Sequence, residues 1–135
     1  MFKVFEEQKQ ILVAVLSSLS HKIALTSDCW EALNIYHYIV ITMYFIDSDW
    51  VLNKKIIGFK KFPHPHNALN LSKIIMRVVR KYKIDSKIFT ISFDNASENI
   101  AAVEILKNYL KPVLNEFFLI FDAFVILLTC VYKMV

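Results

Sequence analysis

The chain has 135 residues, a net charge of +4, 56% hydrophobic residues and a mean hydropathy of +0.44. That length allows one domain with a real core and gives no reason to propose two. Two cysteines, Cys29 and Cys130, cannot make a disulfide framework, and no cysteine–histidine cluster has zinc spacing.

Residues 1–22 read as a lead-in helix, because Phe5, Leu12, Val15, Leu16 and Leu19 recur at three- and four-residue steps without Gly or Pro. Glu6 and Glu7 precede only a short apolar run, so this segment is not a signal peptide and secretion is not expected. Ile23–Ser27 alternates as a first strand and ends in Asp28-Cys29-Trp30. Tyr36–Ile46 is rich in β-branched and aromatic residues, and Asp47-Ser48-Asp49 supplies turn chemistry. Val51–Phe62 then returns as the partner strand of a hairpin, with a bulge expected at Gly58.

Phe62-Pro63-His64-Pro65-His66 is a connector, since each proline removes a donor and restricts its predecessor. Leu69–Lys83 follows as an amphipathic helix. Leu71, Ile74, Ile75, Val78, Val79 and Tyr82 form its apolar stripe, with Lys73, Arg77 and Lys81 opposite. Lys87–Phe93 alternates strictly and runs into Asp94-Asn95-Ala96-Ser97, a strand feeding a capped helix that extends to Glu116. The order is α/β: a mixed sheet with an antiparallel three-strand meander followed by helix, strand and helix.

Phe117–Val131 is apolar except for Asp122 and Thr129. It is shorter than the roughly twenty residues that cross a bilayer as a helix, and a mid-segment aspartate opposes insertion. A buried strand is the better structural reading, and a membrane anchor ranks last.

Asp28 and Asp94 each follow an alternating run. If their strands are neighbours in one sheet, both carboxylates emerge at the same edge, and hard oxygen ligands suit Mg²⁺ or Mn²⁺. The plainer role for either aspartate is to begin a turn or cap a helix. His64 and His66 could be metal ligands or phosphate contacts, Asp47 and Asp49 further acids, and Trp30 and Trp50 base-stacking rings, but they read first as surface residues of a proline-rich loop, hairpin-turn residues and core packing. The densest basic stretch, Arg77 to Lys83, reads first as a solvated helix face. Its Arg77, Arg80 and Lys81, together with His66, are the candidate contacts to a polyanion.

Four ordered motifs resemble the core of plant hAT-family transposases and their BED zinc-finger relatives: Thr26-Ser-Asp28-Cys-Trp30, Phe45-Ile-Asp47-Ser-Asp49-Trp50, Phe62-Pro-His-Pro-His66 and Ile91-Ser-Phe-Asp94-Asn-Ala-Ser97. The resemblance spans about Lys22–Leu110 and implies a partial RNase H-like domain over residues 23–116. It also implies Asp28 and Asp94 as two of three catalytic acids holding Mg²⁺ or Mn²⁺. Its further implications are DNA and other transposase chains as partners, and a nuclear location. Asn67-Ala68 stands where a Thr-Gly pair is usual in that family.

The family's third acid, a glutamate, lies far downstream, beyond these residues. The expectation is therefore a chain inactive by itself, ancestrally a DNA-cleaving and strand-joining enzyme. The alternative is a domesticated remnant that binds nucleic acid or protein without catalysis. Residues 117–135 lack the His-x-Arg-Cys pattern with which the family continues. The codons for Leu119–Val135 permit that pattern in a shifted frame, so the tail is expected to be out-of-frame translation, which the genomic nucleotides around Phe118 would decide.

Overall fold

The computed structural model describes residues 2–31, 36–62, 67–93, 96–110 and 119–122, with Glu31, residues 96–100 and the last stretch as backbone only. Its elements run α1 (Phe2–Ser18), β1 (Ile23–Glu31), β2 (His37–Ile46), β3 (Leu52–Lys61), α2 (Ala68–Lys81), β4 (Ile88–Phe93), α3 (Ala96–Leu110) and β5 (Leu119–Asp122). Together they build a five-stranded mixed sheet in the order β3-β2-β1-β4-β5. The meander β1-β2-β3 is antiparallel, while β4 runs parallel to β1 and β5 parallel to β4. The expected α/β class and three-strand meander are both present. The short β5 also lies inside the tail read as a strand.

The β2–β3 connection is closed by Asp47. Its carboxylate accepts from the amides of Asp49 (2.9 Å) and Val51 (3.0 Å) and from Asn53 Nδ2 (2.9 Å). Those donors hold its carboxyl below the ordinary aspartate range, with Asn53 the largest contributor. Asp47 is therefore a hairpin-turn residue, as expected. The bulge falls beside Gly58: Ile41 pairs with Gly58 and Thr42 with Ile56, leaving Ile57 as the extra residue.

Helix α2 starts at Asn67, whose side chain accepts from the Asn70 amide at 2.9 Å. It ends with Lys83 at φ 55°, where the Lys83 amide donates to Arg80 O and the Ile84 amide to Val79 O, both at 3.1 Å. These paired bonds satisfy carbonyls left open by the last turn, and the buried Ile84 closes the motif against the core. Every residue of the predicted stripe, Leu71, Ile74, Ile75, Val78, Val79 and Tyr82, is buried. Each such side chain contributes about 1.5–3 kcal/mol on leaving water.

Helices and sheet meet on one face. A Cβ at Gly58 would stand 3.2 Å from Val78 Cγ2 of α2 and 3.3 Å from Ile41, so glycine permits this close approach. Strand alternation puts Leu25, Ile39, Ile41, Met43 and Phe45 on that side, all buried. Helix α1 joins the core through Leu16, and α3 through Ala102, Leu106 and Leu110. Lys87 fastens the C-terminal end of α1: its Nζ donates to the carbonyls of Leu16, Ser17 (3.0 Å) and Leu19 (2.9 Å). A cation there complements the helix dipole.

Candidate active site

Asp28 lies within β1, not at its end as the alternation predicted. The strand continues along β2 through the pairs Cys29–Ile39, Trp30–Tyr38 and Glu31–His37. Among the described residues the last pair with β4 is Ser27–Phe93. The residue after Ser27 is Asp28, and the residue after Phe93 in the chain is Asp94. Asp94 lies outside the described residues, as do His64 and His66.

Register fixes the side of the sheet that Asp28 occupies. It pairs with Val40, which pairs in turn with Phe59, whereas the neighbouring Ile41 faces α2. Asp28 is thus exposed on the face opposite the helices. On that face Thr26 pairs with both Thr42 and Ser92, a row of hydroxyls across three strands next to the carboxylate. The Ser92 hydroxyl is buried with no hydrogen-bond partner among the described residues, and so is that of Thr90. A buried hydroxyl without a partner is costly, which marks this as polar ground under the sheet's far side.

The donor chemistry suits a hard divalent cation, since Asp28 offers exposed carboxylate oxygens and its neighbours on that face offer hydroxyl oxygens. Among the described residues, no group of three or more His, Cys, Asp or Glu converges on one point.

Trp30 and Trp50 depart from the expected core packing: they are 42% and 64% exposed. Trp30 joins Tyr38 and Phe59 in a ring cluster with centroids 5.8–6.1 Å apart, on the Asp28 side of β1, β2 and β3. Trp50 takes a left-handed backbone (φ 62°) at the end of the hairpin turn, with its ring 5.6 Å from that of His21. Local alternation could not reveal these exposures, because it does not say which face the helices cover.

The basic candidates also separate. Arg77 and Arg80 line a pocket of about 290 Å³ with Lys73, Met76 and Tyr109. Lys81 does not join them, because its ammonium lies 5.2 Å from the Phe5 ring centroid and 5.9 Å from that of Tyr82. At about 100° per residue, Arg80 and Lys81 cannot share one narrow groove. Lys73 and Tyr109 were not among the expected contacts; the spacing Lys73, Arg77, Arg80 was the available signal for the first.

Residues 26–116 match the ZBED1 RNase-like domain family. The chain belongs to that family. Similarity to hAT-type proteins accompanies it. A putative AC transposase of Zea mays is 33% identical over 100 residues, covering 74% of this chain and 12% of the maize protein. The zinc finger BED domain-containing protein RICESLEEPER 2 of Oryza sativa is 28% identical over 112 residues, 82% of this chain and 15% of its own length. The putative transcriptional regulator tpeD of Talaromyces stipitatus is 28% identical over 110 residues, covering 82% and 13%. This ZBED1 RNase-like chain therefore spans only a small part of each relative, and its mixed α/β sheet fits the RNase-like match.

Proposed function

We propose that this chain is part of the metal-dependent DNA-cleaving core of a hAT-type transposase, with Asp28 and Asp94 as its metal-holding carboxylates and a nuclear place of work. The observation that carries the reading is the parallel pairing of β1 with β4, in which Ser27 and Phe93, the residues that precede Asp28 and Asp94 in the chain, are partners. Asp28 is exposed on a face that the described helices leave open, where a phosphodiester could approach. Bound Mg²⁺ or Mn²⁺ would supply activation of a water or 3′-hydroxyl and charge stabilisation at the leaving oxygen. Two carboxylates are fewer than such a site needs, so the chain is proposed to be inactive until a further acidic ligand is provided.

Mn²⁺ titration by calorimetry tests this. Asp28→Asn and Asp94→Asn should each weaken binding at least tenfold, because each removes an anionic ligand. Absence of Mn²⁺ binding in the parent chain, or binding indifferent to both substitutions, would falsify the assignment. A second reading, nucleic-acid binding without catalysis, is favoured by the cation-lined pocket beside α2.

A further inference from the structure

Lys73, Arg77 and Arg80 sit at i, i+4 and i+7 of α2, all exposed. Like charges at these spacings repel and destabilise a helix by a few tenths of a kcal/mol per pair. Among the described residues no carboxylate offsets them. Glu104 of the adjoining α3 pairs instead with Lys107 at 3.2 Å. The Arg80 guanidinium lies 6.0 Å from the Tyr109 ring centroid, which gives the pocket an aromatic wall on α3, and the buried Met76 forms its apolar floor. From Lys73 to Arg80 the helix advances about 10 Å. Phosphates of one duplex strand rise about 3.4 Å apiece, so this ridge can meet more than one of them.

The location adds a second point. The pocket lies on the solvent side of the helical layer, since the opposite stripe of α2 is buried toward the sheet, and Asp28 is exposed on the sheet's other face. A nucleic acid held by α2 is therefore separated from the Asp28 carboxylate by helices and sheet.

We propose that Lys73, Arg77, Arg80 and Tyr109 form a backbone-phosphate clamp for nucleic acid on the reverse side of the domain, apart from the candidate metal site. The clamp rests on the reading of nucleic acid as the partner and is independent of metal. Arginine guanidinium groups suit it because their planar forks bind phosphate oxygens in pairs.

The test is fluorescence anisotropy of a labelled 20-base-pair duplex with the full chain in EDTA, across a salt series. Arg77→Gln/Arg80→Gln should bind at least tenfold more weakly and lower the slope of log affinity against log salt by about 2, one for each lost phosphate contact. Tyr109→Leu should weaken binding a few-fold, and Tyr109→Phe should not. Lys54→Gln/Lys61→Gln removes equal charge from the other face and should leave the slope in place. The clamp is refuted by absent duplex binding, or by an equal loss in the lysine control, which would indicate net charge alone. Competition by inorganic phosphate at matched ionic strength would also refute it, as a small-anion pocket. Lys73→Gln gives the same readout if the double variant misfolds. Because EDTA removes divalent ions, failure here leaves the Mn²⁺ titration of Asp28 untouched, and the reverse also holds.

Discussion

The two faces of the sheet carry similar residue types and have opposite fates. On the helix side Ile39, Ile41, Met43 and Phe45 are buried, and a Cβ added at Gly58 would come within 3.2 Å of Val78. On the other side Ile56 is 65% and Phe59 62% exposed, with Trp30 beside them. Toward β4 that same side closes, for Ala24, Thr90 and Ser92 are buried. Hydrophobicity alone therefore does not decide burial here: along β2 and β3 the helix side is buried, while Ile56 and Phe59 on the other side are exposed.

That contrast can be broken by substitution. Ile75→Ala, at a fully buried position of α2, should cost about 2–5 kcal/mol in denaturant unfolding, because it removes packed methylenes and leaves a cavity. Gly58→Ala should cost about 1–3 kcal/mol, since the new methyl must displace Val78 or Ile41. Ile56→Thr should change stability by no more than about 0.5 kcal/mol, as expected of an exposed position. A loss there as large as that at Ile75 would mean that β3 carries core on both of its sides.

Much of this was legible because it is local. The stripe Leu71 to Tyr82 follows from a period near 3.6, and Asp47 as a turn residue follows from short acidic side chains that accept from nearby amides. The family was legible because four motifs occur in order. Strand pairing was not local: nothing in Ile23–Ser27 or Lys87–Phe93 alone says that they adjoin in parallel with Ser27 opposite Phe93. β1 continues through the expected Asp28-Cys29-Trp30 to Glu31, paired along β2. Likewise the run Arg77 to Lys83 looks continuous as a string, but helical rotation sends Arg80 toward Tyr109 and Lys81 toward Phe5.

The clasp at Lys87 has a consequence for the newborn chain. The carbonyls of Leu16, Ser17 and Leu19 that it caps are made early, and the ammonium that reaches them is made some seventy residues later. The Ile23 amide likewise waits for the Lys87 carbonyl, which it meets at 2.8 Å. During synthesis α1 thus emerges with its last turn open and gains its fastening only once the start of β4 has left the ribosome. The first helix of the chain is then fastened only after the β1–β3 meander and α2 have been made, a long-range closure of the kind that slows folding.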